Sequence, residues 1–495
     1  MPMQTLPQDL YRPDQVADMD RLAIQEHGIA GLDLMHRAGR AAYRDLRREW
    51  PAVRRLVIFC GAGNNGGDGY VIGRAALADG LSVQLFQLGG RDRLRGDAAT
   101  VAAEFEATGG RHEVFEHLVG GPDTVVVDAM FGTGLDRPLE GIWEQAVHAI
   151  NAAGMPILAV DIPSGLHGGR GEVMGEAVRA DVTVTFIGLK LGLFAGQGPA
   201  CRGRLCFHDL AVPDVVRQAH APAARRYRHG DGSPPVPGRQ ALAHKGDSGH
   251  LLIIGGNRGM GGAALLAGRG ALRAGAGLVS VATRPEHVPS LLAAQPELMS
   301  HGLERVQDLD VLSDRADVLL LGPGLGQDDW ARGLLERAGA SGKPLVLDAD
   351  ALNLVAAGCG VPGMVLLTPH PGEAARLLGS STREVQADRL AAAQQLSDQT
   401  QAVVVLKGAG SVIAAPGQVP WLCDGGSPAL ATGGTGDVLA GVAAALLASG
   451  MDPHSALLTA VAAHAEAGER LAAAEGVRGL LASDLPDAIR TLLQA

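Results

Sequence analysis

One pattern recurs along the chain and limits what it can fold into: a short apolar, β-branched run, a glycine-rich turn, then a helical repeat. A first block carries such runs at 56–60, 83–87, 124–128, 157–161 and 182–187. A second carries them at 250–254, 279–282, 318–321, 345–348, 365–368 and 403–407. Strands that are apolar on both faces and alternate with helices predict parallel sheets covered on both sides, an α/β fold.

At 495 residues the chain exceeds one ordinary core, so each block reads as a domain. Pro213 to Gly249 separates them, with Ala-Pro-Ala-Ala-Arg-Arg-Tyr-Arg and Ser-Pro-Pro-Val-Pro-Gly predicted as a solvated basic linker. Domains are therefore expected over 1–220 and 225–495. Upstream of the first strand, Gln15 to Trp50 reads as two amphipathic helices packed on the first sheet.

The formal net charge of -11 leaves no basic footprint for nucleic acid. No stretch reaches the roughly 18 apolar residues that a membrane span needs. Met1 to Asp20 lacks a basic segment followed by an apolar run, so no signal peptide is expected. Cys60, Cys201, Cys206, Cys359 and Cys423 form no metal spacing and are odd in number, which suits a reduced, cytoplasmic chain. Ala/Gly-rich apolar helices suggest a homo-oligomer.

Residues 431–437, Ala-Thr-Gly-Gly-Thr-Gly-Asp, run straight into an apolar helical pattern. A glycine turn that opens a helix aims several N–H groups at one spot and suits an anion. A carboxylate there would repel phosphate unless it had separate work, so Asp437 reads as a base beside a phosphate site. Lys407-Gly408-Ala409-Gly410-Ser411 adds a cation and free N–H groups at another strand end. The one Gly-Lys pair, Gly342-Lys343, precedes Pro344, which excludes a Walker loop. Thr368-Pro-His370-Pro-Gly-Glu373 sets an imidazole and a carboxylate on a rigid turn. Asp348 and Asp350 follow a strand and either aid a magnesium–phosphate network or cap a helix.

In the first block, Gly61-Ala-Gly63-Asn64-Asn65-Gly66-Gly67-Asp68-Gly69 formally contains G-x-G-x-x-G, with a helix expected from Tyr70. The next strand ends near Gln87 without an acid for a ribose hydroxyl, and Asp68 would meet a pyrophosphate. A dehydrogenase is thus disfavoured. Asp128 and Asp161 close two further strands. In an open α/β sheet, Asn65, Asp128 and the Ser164 region would converge and offer only oxygen ligands, which suit a hard cation. Alternatively both aspartates cap helices.

Gly63–Asp68, Val127–Gly134 and Val160–Gly165 resemble the motifs of the NAD(P)H-hydrate epimerase (YjeF N-terminal) family, over roughly residues 10 to 215. The resemblance implies substrate contacts at Asn64, Asn65, Gly66, Gly67, Asp68, Gly132, Thr133, Gly134, Leu135, Asp136, Arg137, Pro138 and Asp161. Asp161 would transfer the proton, and K+ would be held at Asn65, Asp128 and Ser164. Lys190 either neutralises substrate phosphate or sits on the surface. Non-catalytic scaffolds occur in the family, but the loop, both aspartates and Ser164 are all present here.

His244-Lys-Gly246, Ile254–Asn257, Gly261–Ala263, Gly322–Gly324, Thr368–Glu373, Lys407–Ser411 and Gly433–Asp437 resemble the ADP/ATP-dependent NAD(P)H-hydrate dehydratase (YjeF C-terminal) family, over about 225 to 493. Arg258-Gly-Met260 departs from it, where an aromatic is common. The resemblance implies hydrate contacts at Ala263, Gly324, His370 and Asp437, with the ADP or AMP moiety at Lys407, Gly408, Ala409, Gly410, Ser411 and Gly436, ADP or ATP as co-substrate, and Mg2+ in this domain. Together the two halves imply an N-terminal Rossmann-like three-layer domain followed by a C-terminal ribokinase-like α/β domain. Their small-molecule partners would be hydrated NADH and NADPH and the adenine nucleotide, with no nucleic acid or membrane. A sugar- or vitamin-type kinase fused to a nucleotide-binding regulatory domain is the competing reading.

Overall fold

The computed structural model describes residues 6–494 except 233, 239–241, 243 and 361–362, so Ser233 of the proline-rich string lies outside the described residues. The chain divides into two compact units, Met1–Arg225 and Arg226–Ala495.

The first unit holds a seven-stranded parallel sheet in the order His112–Glu113, Ser82–Gln87, Arg55–Cys60, Thr124–Ala129, Ile157–Val160, Val182–Phe186, Arg204–His208. Alternate residues of each strand bury on opposite faces. Leu56, Ile58, Val125 and Val127 join one core, and Val57, Phe59 and Val126 join the other. Helices Pro13–Gln25 and Gly31–Glu49 match the two expected upstream. The chain starts in the middle of the sheet, winds outward, and returns to the other side. The order therefore switches between Arg55–Cys60 and Thr124–Ala129, where open α/β sheets form their crevice.

The second unit repeats this logic. Seven parallel strands run Met299–Gly302, Leu278–Thr283, His250–Ile254, Val318–Leu321, Leu345–Leu347, Met364–Leu367, Val403–Leu406, continued by antiparallel Ser411–Ala414 and Trp421–Cys423. Its switch falls between His250–Ile254 and Val318–Leu321. Helix Thr435–Ala448 lies so close to Gly261–Ala274 that a Cβ at Gly441 would stand 2.0 Å from the Ala267 carbonyl oxygen.

Several expectations are corrected. The helix after the first strand begins at Asn64, not Tyr70, because Gly66 allows its first turn to press on Gly61, whose carbonyl oxygen would be 1.9 Å from a Cβ. Strand Ile157–Val160 stops one residue early, since Asp161 takes φ 67. The arginine-rich segment is not a solvated linker: Ala224–Tyr227 is a strand, and Arg226 is buried, 3.1 Å from Asp424. The small-residue helices Thr435–Ala448 and Pro453–Glu475 bury their Ala and Gly faces in the second unit's own core. Among the described residues no helix is long and apolar enough to cross a membrane.

Candidate active sites

The switch point of the first sheet opens a cavity of about 530 Å³. Of the residues expected there, Asn64, Asn65, Asp68, Gly132, Thr133, Gly134, Asp161 and Lys190 line it. The others do not. Gly66 and Gly67 are buried packing positions against Gly61 and Met35. Leu135 turns into the core, and Asp136, Arg137 and Pro138 are exposed outside the cavity lining.

Asp161 is the strained member, a non-glycine residue held in the left-handed region. Its Oδ1 accepts from the Lys190 ammonium at 2.5 Å and from the Thr185 hydroxyl at 3.2 Å. Lys190 also donates to Thr185 Oγ1 at 3.1 Å and to the Phe186 carbonyl at 2.8 Å. With 1% exposure, it is no surface residue. Burial pushes Asp68 well above the usual carboxylate range, with Asp161 and Asp20 adding and Lys190 opposing. Asp20 also lines this cavity, and sequence reasoning passed over it.

Neither strand-end aspartate caps a helix. Asp128 is fully buried; its Oδ2 accepts from the Ser164 N–H at 2.8 Å, and its Oδ1 from the Ser164 hydroxyl at 2.6 Å and the Met130 N–H at 3.2 Å. Burial still carries its carboxyl up to about 6, against those hydrogen bonds. Asn65 is buried, and neither its Oδ1 nor its Nδ2 finds a partner among the described residues. Asn65, Asp128 and Ser164 can all present oxygen donors, one of them an amide oxygen without a partner, and that chemistry suits a large, weakly hydrated cation such as K+.

In the second unit, the ends of neighbouring strands bring charge together. Lys407 Nζ lies 2.8 Å from Asp348 Oδ1, which also accepts from the Thr368 hydroxyl at 2.7 Å. Asp348 is thus spent on Lys407 rather than on capping its own helix, Ala349–Ala356. Asp350 Oδ2 accepts from the Gly326 N–H at 2.9 Å. Burial works against the Lys407 ammonium, yet Asp348, Glu373 and Asp437 outweigh it and hold its pKa above the usual lysine value. A Cβ at Gly436 would lie 3.2 Å from Lys407 Nζ, so the lysine reaches the first turn of helix Thr435–Ala448.

That helix starts from Gly434 at φ 92, with no side-chain cap among the described residues. Its leading N–H groups stay available for an anion. Neutral His464 fixes the turn from behind, donating from Nε2 to the Thr435 carbonyl at 3.0 Å; burial drops its pKa to about 4. Burial lifts Asp437 to about 7, with Asp348, Asp350 and Glu373 adding and Lys407 opposing.

Gly322, at φ 127, lets the Asp348 carbonyl approach to within 1.7 Å of where a Cβ would sit. Two residues on, a Cβ at Gly324 would be 3.2 Å from that of Ala263, which brings these two expected contacts side by side. His370 Nδ1 accepts from the Gly372 and Glu373 N–H groups and caps helix Pro371–Leu378, leaving Nε2 to carry the proton. Burial lowers its pKa, helped by Lys407 and Arg376. In the loop after Lys407, Gly408 and Ala409 are exposed. Beneath it lies the buried Arg389, whose Nη2 donates to the Leu406, Lys407 and Gly410 carbonyls.

Comparison with known proteins agrees with both halves. A family model described as YjeF-related protein N-terminus matches residues 31–192, and one described as NAD(P)H-hydrate dehydratase matches 251–491. The bifunctional NAD(P)H-hydrate repair enzyme of Coxiella burnetii is 43% identical over 484 residues, spanning 98% of this chain and 99% of that protein. That of Escherichia coli is 41% identical, spanning 97% and 93%. A ribokinase-like superfamily protein from Enterococcus faecalis superposes with a TM-score of 0.52 at 30% identity, covering 56% of this chain and 97% of its own. The chain belongs to the bifunctional NAD(P)H-hydrate repair enzyme family.

Proposed function

We propose that the two sites divide the repair of hydrated NADH and NADPH, with Asp161 serving epimerisation and Asp437 serving nucleotide-driven dehydration. The observation that carries this is the second site: a carboxyl with a pKa of about 7 stands at an uncapped helix N-terminus beside a charged lysine. Water added across the nicotinamide 5,6-double bond leaves a hydroxyl at C6, and hydroxide is a poor leaving group. Phosphorylation makes it a good one. Asp437 takes the hydroxyl proton as the oxygen attacks the terminal phosphate of ADP or ATP. The N–H groups of Gly436 and its neighbours, with Lys407, stabilise the charge spread over the transferring group. The Lys407–Ser411 loop holds the nucleotide, and Ala263, Gly324 and His370 contact the hydrate. Phosphate then leaves with the C5 proton, and NAD(P)H is restored.

Mg2+ would add charge neutralisation at the phosphates. In the first site, K+ at Asn65, Asp128 and Ser164 would offset buried negative charge and pin the loop that contacts substrate. The five free cysteines suit a reducing cytoplasm. Incubation with ATP and S-hydrate is the test: the account requires NAD(P)H and inorganic phosphate, and a stable phosphorylated product would point to a kinase instead.

Two smaller predictions arise here. A cation bound only by the folded state stabilises it. The first unit's melting midpoint should therefore rise with K+ and not with a bulky organic cation, as read by calorimetry. Lys190→Met would strand Asp161 beside two further carboxyls. Breaking a buried pair costs about 3 kcal/mol, so urea unfolding of this variant should show a loss of that order. A midpoint equal to wild type would contradict the pairing.

A further inference from the structure

The first cavity holds a carboxyl that the Asp161–Lys190 pair does not use. Asp20 lies on helix Pro13–Gln25, where Val16, Asp20 and Ile24 share the i, i+4, i+8 face and all line the cavity. It is the polar member of an otherwise apolar stripe. No side-chain hydrogen bond joins it to another described residue, although Asp161, Asp68 and Lys190 are close enough to act on it. Burial raises its carboxyl to about 6, with Lys190 opposing and Asp161 adding. The cavity thus holds one carboxylate in contact with an ammonium and a second whose burial favours its protonated form. Two carboxyls in such unlike surroundings can divide acid and base roles.

Inversion at C6 supplies the chemical need. A group on one face of the ring can remove and return a hydroxyl on that face only, which changes nothing. We infer that Asp20 is the second proton-transfer residue of the epimerase, working on the ring face opposite to Asp161. This rests on the epimerase reading of the cavity. The Asp20 carboxyl gives its proton to the C6 hydroxyl oxygen as the C6–O bond breaks. The N1 lone pair forms a C6=N1 double bond, and water departs. A water on the other face adds its oxygen to C6, its proton passes to Asp161, and the double-bond pair returns to N1. One proton is donated and one accepted, and the other epimer runs the sequence backwards with the roles exchanged.

The test follows conversion of purified R-hydrate to S by chromatography, using the full-length chain without added nucleotide. In Asp20→Asn, kcat should fall about 100-fold with KM little changed, and Asp20→Glu should restore most of it. For wild type, kcat/KM should decline as pH rises through about 6, where the Asp20 proton is lost, and the Asn variant should lack that limb. Inversion in 18O-labelled water should place label at C6. Inversion by the Asn variant at the wild-type rate, a slowed variant that keeps the limb, or inversion without label would each overturn the proposal. A melting curve checks the fold, and if the Asn variant does not fold, the Glu variant's shifted limb decides. If wild type fails to interconvert the epimers at all, the epimerase reading falls first, which separates the two failures.

Discussion

Replacing Asp437 by Asn should cut nucleotide-dependent dehydration of the S-hydrate about 1,000-fold, within the range for removing a positioned general base. The amide is nearly isosteric and keeps the first turn of helix Thr435–Ala448, so binding of ADP by calorimetry should be close to wild type or tighter. Asp437 lies in a crowd of Asp348, Asp350 and Glu373, and its charge repels incoming phosphate until it accepts the hydroxyl proton. A base must be ionised to act. With a carboxyl at about 7, dehydration should rise with pH through that value and be lost below it. A pH profile that stayed flat between 5.5 and 8 would remove the base role.

Asp161→Asn should slow exchange of the R and S hydrates by about 100-fold or more while the second site continues to consume S-hydrate. Asparagine is the informative substitution. Asp161 sits at φ 67, a conformation that asparagine tolerates and alanine does not, so backbone strain is not a confounding cause. The variant also leaves the Lys190 ammonium without its anion. Epimer exchange measured at several pH values should be low throughout. Wild-type exchange in this variant would show that another group carries the proton.

Much of this arrangement can be read from the chain, and the reasons are local. Strand ends carry the chemistry in open α/β sheets, so runs such as Val-Val-Val-Asp128 and Val-Val-Leu-Lys407 announce both a strand and a site. What sequence misses depends on distance. Asp20 reads as one more polar residue on an amphipathic helix, and only the closed fold turns that stripe into a cavity wall. The spacing of Val16, Asp20 and Ile24 was the available signal. Lys190 is a similar case, since Thr185, Phe186 and Asp161 gather around it only after the sheet is built. Short strands such as His112–Glu113 and Trp421–Cys423 carry too few residues for a pattern to show. Arg226 and Arg228 look solvated because their acidic partners, Asp424 and Glu469, are 198 and 241 residues away along the chain.

The central claim is that two separate carboxylates run two successive reactions. Recovery of reduced-nicotinamide absorbance from an equilibrium mixture of hydrates, with ADP supplied in excess, tests it most directly. Wild type should recover the whole signal in one course. Asp161→Asn should recover the S fraction at the wild-type rate and then stall at the pace of spontaneous exchange, and Asp437→Asn should recover almost none. Full recovery by either variant at the wild-type rate would contradict the account.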